Sequence, residues 1–71
     1  MVPGDLVRPH NVIHSTAVWD YGRDCLSGLL GVDELGLVLE VRTRDGWREA
    51  RLLLPDGSVG WVLRAHVRTI R

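Results

Sequence analysis

Two tight-turn sequences constrain the fold of this chain most strongly, because alternating apolar and polar residues run on both sides of them. Asp45-Gly46 supplies the positive φ angles that a two-residue hairpin turn needs. In Pro55-Asp56-Gly57-Ser58, proline presets one φ angle and glycine accepts the left-handed position. The pattern therefore predicts an antiparallel meander of three strands at residues 36–42, 47–54 and 59–63.

Alternation within these strands predicts the core face of each. Glu40 and Arg42 are expected on the outer face of the first strand, and Arg48 and Arg51 are expected nearer solvent in the second. The inward residues are then Leu37, Leu39 and Val41 in the first strand, Ala50, Leu52 and Leu54 in the second, and Val59, Trp61 and Leu63 in the third.

Shorter elements flank the meander. Residues 4–9 form a turn and a first strand that Pro9 ends, and residues 67–70 form the last strand. Arg64-Ala65-His66 is too short for an α-helix and suits a single 3₁₀ turn. The prediction is an all-β chain, one domain over residues 1–71, folded as a five-stranded barrel that removes most exposed sheet edges.

Residues 10–35 show no sustained period, and glycines at positions 22, 28 and 31 interrupt them. Such a long irregular segment in a small domain is typical of a functional loop or of a hairpin. Val12-Ile13 and Ala17-Val18-Trp19 are candidate short strands. Residues 26–30 are a candidate helical turn, which the glycines limit to one turn.

Length and composition narrow the function classes. With 71 residues and one cysteine, the chain has no intrachain disulfide, so its stability comes from a compact core or from burial against a partner or another copy. The first residues lack the features of a signal peptide and no apolar run is long enough for a membrane span, so neither export by that route nor a membrane location is expected. Nine basic residues, all arginine, balance nine acidic ones, so no net positive field attracts nucleic acid.

This order of features resembles a Src-homology-3-like (SH3-like) barrel. The resemblance implies that residues 10–35 correspond to the long RT loop of that family and that Trp47 stands in place of its groove tryptophan. Residues 17–21, AVWDY, are similar to the family signature Ala-Leu-Tyr-Asp-Tyr. The other residues that carry the resemblance are 36–42 (GLVLEVR), 45–47 (DGW), 55–62 (PDGSVGWV, with Gly60-Trp61 as the Gly-aromatic strand start) and 64–67 (RAHV).

The chain departs from peptide-binding members of that family where their ligand groove lies. Leu63 and His66 stand where the family has proline and tyrosine, and Arg48 replaces its second tryptophan. Proline-rich ligands dock between aromatic rings, and here only Tyr21, Trp19 and Trp47 would supply them.

A second resemblance is to small SH3-like proteins of tailed bacteriophages. It lies in residues 4–8 (GDLVR), 36–41 (GLVLEV) and 54–61 (LPDGSVGW). In this frame, which we favour, residues 4–8 are the first strand and the AVWDY match is coincidental. This resemblance implies the host cytoplasm or a virion as the location. Whether the first strand is 4–9 or 17–21 stays open, and a hairpin inside residues 10–35 would reconcile the two.

The sequence gives little indication of a metal site or of a catalytic site. His10, His14 and Cys25 are metal-ligand types, but the two histidines share a face only in a helix, which Pro9 disfavours, and no fourth ligand is evident. We therefore predict no metal or cofactor, and interpret these residues as loop histidines and a small buried thiol. Nothing in the spacing gives Cys25 a base, and the acidic residues at 20, 24, 33 and 34 are interpreted as solvated loop charges, so no enzyme is predicted.

Exposed aromatic and arginine side chains instead favour a protein contact surface. We predict a non-catalytic structural or protein-interaction module, such as a phage head-decoration or connector component. It would act on a partner or on its own copies through residues 10–35 and the Trp47 side. The alternatives are a peptide-binding SH3-type adaptor and, third, a nucleic-acid-associated barrel of the Tudor or ribosomal-factor kind. The predicted protein-binding residues are Trp19, Tyr21, Arg23, Leu29, Leu30, Trp47 and Arg48; Leu26, Leu29 and Leu30 are included among the apolar residues that a small barrel leaves exposed.

Overall fold

A computed structural model describes residues 1–70 as one antiparallel sheet of seven strands. The part described contains no α-helix, only a single 3₁₀ turn, so the predicted all-β class is confirmed in its general form. The elements are β1 (Leu6–Pro9), β2 (Thr16–Asp20), β3 (Cys25–Leu30), β4 (Gly36–Arg44), β5 (Trp47–Leu53), β6 (Val59–Leu63), the 3₁₀ turn η1 (Arg64–His66) and β7 (Val67–Thr69).

The strands lie in the order β3-β2-β6-β5-β4-β1-β7, and the sheet curls into a half-barrel. Strands β3 and β7 form its two edges. The seven strands differ from the five expected, because residues 10–35 contain the hairpin of β2 and β3 rather than a loop. Both candidates for a first strand, near residues 4–9 and 17–21, are therefore strands, whereas residues 26–30 are extended and not a helical turn.

The two turn predictions are confirmed. Asp45 and Gly46 have φ angles of 50° and 82°, and they join Arg44 and Trp47, which are cross-strand partners. Gly57 has a φ of 88°, and the Leu54 amide donates to the carbonyl of Ser58 at 2.9 Å to close the second turn. Local turn chemistry thus sets the path of the β4-β5-β6 meander.

The core receives at least one residue from every strand. Ala50, Leu52 and Leu54 point inward as predicted, and Arg48 and Arg51 are exposed. The full set of buried apolar residues is Val7, Val18, Leu30, Val38, Ala50, Leu52, Leu54, Val62 and Val67.

The predicted core face of β4 is wrong. Gly36 and Val38 are the buried residues of this strand, while Leu37 is half-buried and Leu39 and Val41 are exposed. Val38 faces the core because it lies opposite the buried Leu52. A bulge between Val38 and Glu40 makes Leu39 an additional residue, which shifts the alternation of the residues that follow it.

The predicted core face of β6 is also wrong. Gly60 and Val62 are buried, whereas Val59, Trp61 and Leu63 are half-buried. Directly opposed residues in an antiparallel pair share a face, and Gly60 and Val62 lie opposite Leu52 and Ala50. A Cβ atom on Gly60 would lie 2.6 Å from Val18 Cγ1, so glycine is what allows β6 to approach β2 this closely.

Candidate functional site

Two adjoining surface grooves lie on either side of the 3₁₀ turn η1. The first, which we call the aromatic groove, has a volume of about 500 Å³ and includes Trp19, Tyr21 and Trp61, three of the four aromatic side chains of the chain. Its other walls come from residues 10–17 and from the end of β6 and η1. Trp19 and Trp61 are cross-strand partners in β2 and β6, which brings the two indoles onto one face.

Residues 10–16 are held over η1 by the backbone carbonyl of His66. The amide of His10 donates to this oxygen at 2.8 Å, and the hydroxyl of Thr16 donates to it at 3.3 Å. The segment before β2 is therefore tied to the segment before β7. This contact forms the wall of the aromatic groove and places the imidazoles of His10, His14 and His66 along its lining.

The second groove, which we call the tryptophan groove, has a volume of about 550 Å³. Trp47 is 65% exposed at the start of β5, and Arg48, Arg64 and Arg68 line the groove with it. The lining residues common to both grooves are His10, Leu63 and Ala65. The two grooves therefore form one continuous surface, which joins the segment before β2 to the Trp47 side of the barrel.

A buried carboxylate holds one wall of the aromatic groove in place. Glu49 on β5 is 3% exposed, and it accepts a hydrogen bond from Arg42 Nε at 3.1 Å and another from the hydroxyl of Tyr21. The guanidinium of Arg42 lies 3.6 Å from the centre of the Trp61 ring, and that of Arg44 lies 3.9 Å from the Tyr21 ring. We call Glu49, Arg42, Arg44, Tyr21 and Trp61 the Glu49 cluster.

The hydrogen bond to Glu49 raises the pKa of Tyr21 above its ordinary value of 10.0, and burial and the negative charge of Glu49 raise it further. The hydrogen bond and positive charge of Arg44 act in the opposite direction. Tyr21 is thus a neutral hydrogen-bond donor at physiological pH. Because its ring and that of Trp61 are already oriented by charged partners, little side-chain freedom is lost when a ligand contacts them.

The arginines of the tryptophan groove have no carboxylate partner among residues 1–70. The ion pairs described there join Arg23 to Asp20, Arg42 to Glu49 and Arg51 to Glu40. In addition, Arg8 and Arg68 are directly opposed in β1 and β7, where like charges repel each other. This side of the barrel is therefore positive although the whole chain is neutral.

Five of the seven predicted site residues separate into three groups. Trp19 and Tyr21 line the aromatic groove, and Trp47 and Arg48 line the tryptophan groove. Arg23 lies in the β2–β3 turn, outside both linings.

The leucines of β3 have different environments. Leu26 and Leu29 are 55% and 57% exposed, whereas Leu30 is completely buried in the core. The expectation of an exposed Leu30 is therefore wrong, because the β2–β3 hairpin turns this side chain into the barrel.

Sequence reasoning missed Glu49 and Trp61. The alternation in β6 predicts Trp61 in the core, but this residue forms part of the groove wall. A usable signal for Glu49 was present in the sequence. The two-residue Asp45-Gly46 turn sets the register of the hairpin, and counting back from it places Arg42 opposite Glu49.

No group of three histidine, cysteine or acidic side chains within residues 1–70 is placed to hold a metal ion. Cys25 is exposed rather than buried. In the same part of the chain, no helix has the length and apolar character that crossing a membrane requires.

No protein-family model matches the chain, and neither a curated protein nor a solved structure shows significant similarity to it. Its site is therefore interpreted from its own geometry.

Proposed function

We propose that this chain is a non-catalytic protein-interaction module on an SH3-like barrel, and that it binds its partner across the two grooves around η1. The strand order supports the SH3-like assignment. When the β2–β3 hairpin is left out, the remaining strands lie in the order β6-β5-β4-β1-β7. Neighbouring strands in this order also follow one another in the chain, except that β1, the first strand, pairs with β7, the last. The hairpin replaces the long early loop, and a 3₁₀ turn precedes the last strand.

The observation that carries the proposal is the concentration of arginine side chains and of exposed or half-buried aromatic side chains on one continuous surface. All four aromatic residues line the two grooves, together with Arg48, Arg64 and Arg68. Tryptophan, tyrosine and arginine are the residue types that contribute most to binding energy at protein interfaces. The Glu49 cluster orients two of the rings before binding, which reduces the entropy that a complex loses.

Binding of a polyproline II segment is a second candidate, favoured by the presence of Trp19 and Tyr21 in one groove. The η1 side of the groove has Leu63, Ala65 and His66 instead of further aromatic rings, so we place this candidate second. A role in phage head decoration or connection is the biological setting that the sequence resemblance favours. In that setting the partner is a virion protein or another copy of this chain.

Affinity capture with matched variants tests the proposal. A tagged wild-type chain, a Trp47→Ala/His66→Ala variant and an Arg23→Ala control are used on lysate of the source organism, and retained proteins are identified by mass spectrometry. Both groove substitutions remove exposed side chains, and Arg23 lies outside both linings. We expect the control to retain the same protein as the wild type, and the groove variant to lose it.

Retention of that protein by all three chains would contradict the assignment of the surface. Absence of any specifically retained protein, combined with a monomeric chain in solution, would contradict the interaction function itself. Proline-rich proteins among those retained, with chemical-shift changes centred on Trp19 and Tyr21, would favour the second candidate.

A further inference from the structure

We propose that the tryptophan groove recognises an acidic segment of the partner protein that carries both carboxylates and apolar side chains. This inference rests on the proposed function and names the chemistry of the segment that this groove binds. It is carried by the distribution of charge in the folded chain, which the balanced totals of nine basic and nine acidic residues conceal.

The groove contains positive charge and no compensating negative charge. Arg48, Arg64 and Arg68 line it, none of its lining residues is acidic, and none of the three forms an ion pair with residues 1–70. Arg8 lies opposite Arg68 on the neighbouring strand and adds to the positive charge. Like charges that face each other across paired strands repel in the free protein, and an anionic group bound beside them offsets this repulsion.

The apolar part of the groove favours a peptide as the occupant. The exposed indole of Trp47 lies in the same lining as Leu63 and Ala65, whereas Val67 is 5% exposed and belongs to the core. A peptide that carries both acidic and apolar residues matches a lining that holds both arginine and apolar side chains. Arginine pairs with carboxylates through two parallel hydrogen bonds, and the apolar side chains cover Trp47 and its neighbours.

A nucleic-acid strand fits the groove less well. Binding without sequence preference depends on several aromatic rings along a basic track, and this groove has one exposed indole. The aromatic groove, which holds the other rings, includes no arginine in its lining.

Selection from a random peptide library displayed on yeast tests the inference without knowledge of the partner. The wild-type chain and an Arg64→Gln/Arg68→Gln variant are used as targets, with Arg23→Gln as the matched control, because Arg23 is an exposed arginine outside the groove. We expect peptides that bind the wild type and the control to be enriched in aspartate and glutamate, and to be lost with the double variant. Each groove arginine is expected to contribute about tenfold in affinity.

A selected peptide with its acidic residues changed to the corresponding amides is the second measurement. This amide peptide is expected to bind the wild-type chain at least as weakly as the original peptide binds the double variant. Arg68→Gln also removes the repulsion with Arg8, so the double variant is expected to remain folded, as thermal unfolding will show.

Selected peptides without acidic enrichment, or equal binding to the double variant, would overturn the inference. It is also overturned if a fluorescent oligothymidine binds the groove more tightly than every selected peptide and loses this binding in the double variant. None of these results affects the capture experiment above. If the captured partner depends on Trp47 and His66 but has no acidic segment, this inference is refuted and the proposed function is retained.

Discussion

Two arginine–glutamate pairs bridge β4 and β5, and their different burial gives a sharp prediction. Arg42 Nε lies 3.1 Å from Glu49 Oε1, and the Glu49 side chain is 3% exposed. Arg51 Nη1 lies 3.4 Å from Glu40 Oε1, with side chains 46% and 51% exposed. We expect Arg42→Gln to lower the free energy of unfolding much more than Arg51→Gln does, because only the first change leaves a buried carboxylate without its cation.

The expected magnitude follows from the two environments. Removing one partner of a buried pair costs about 3–5 kcal/mol. Arg42 itself is 36% exposed and the Tyr21 hydroxyl still donates to Glu49, so we expect about 2–3 kcal/mol at this site, including the lost stacking on Trp61. An exposed pair contributes about 0.5 kcal/mol, which is the loss expected for Arg51→Gln.

Urea unfolding followed by tryptophan fluorescence measures both losses, provided that the dependence on denaturant is the same for each variant. Arg42→Gln/Glu49→Gln is the internal check. With the buried charge removed as well, we expect this double variant to be more stable than Arg42→Gln alone. If Arg42→Gln and Arg51→Gln destabilise equally, to within about 0.5 kcal/mol, the buried Glu49 cluster does not stabilise the groove wall in the way described.

Three further predictions concern packing and pH. Gly60→Ala is expected to lower the free energy of unfolding by about 2 kcal/mol or more, because the added Cβ atom would lie 2.6 Å from Val18 Cγ1 and 2.9 Å from the Trp19 carbonyl oxygen. Gly22→Ala is the control in the same denaturation assay and is expected to have a small effect, because its Cβ atom would meet only an Asp20 carboxylate oxygen at 3.3 Å. The raised pKa of Tyr21 means that its bond to Glu49 contributes stability below pH 10.0 that is lost as the pH rises through the folded pKa. A Tyr21→Phe variant should therefore lose less stability than the wild type above that pH, and an equal alkaline loss would refute the assignment. Hydrogen bonds from the Ser58 hydroxyl and, to a smaller extent, from the Ser58 amide lower the pKa of Asp56 below its ordinary value of 3.8. The stability that these bonds contribute is present above pH 3.8 and is lost as the pH falls through the folded pKa. In thermal unfolding, Asp56→Asn should therefore show a weaker loss of stability with falling pH than the wild type.

Features that depend on neighbours in the sequence were predictable. Asp45-Gly46 and Pro55-Asp56-Gly57-Ser58 form the turns expected of them, and the 3₁₀ turn and the flanking strands lie where the residues indicate. Each rests on the backbone preference of one or two residues, which the rest of the protein does not override.

Among the three strands of the meander, the set of alternating residues that faces the core was predictable only for β5. Val38 and not Leu37 is in the core because it lies opposite Leu52, and Trp61 lies outside the core because Gly60 and Val62 lie opposite Leu52 and Ala50. A strand with apolar residues on both faces is compatible with either phase, and the pairing with its neighbour decides between them.

The candidate site was predictable in part for the same reason. Aromatic and arginine side chains are common at interfaces, so Trp19, Tyr21, Trp47 and Arg48 were identifiable by type, and they line the two grooves. The buried Glu49 and the groove position of Trp61 depend on which face each strand turns outward.

The sequence by itself determined an all-β chain whose meander turns twice at glycine-containing loops, because positive φ angles are a local requirement. Only the tertiary structure decided where the charge and the aromatic rings lie. Nine arginines and nine acidic residues cancel in the sum, but the position of η1 and of β7 brings Arg64 and Arg68 to the Trp47 side, and pairing of β1 with β7 places Arg8 beside Arg68. The physical reason is that a total charge adds residues without regard to position, whereas binding depends on the distances that strand pairing creates.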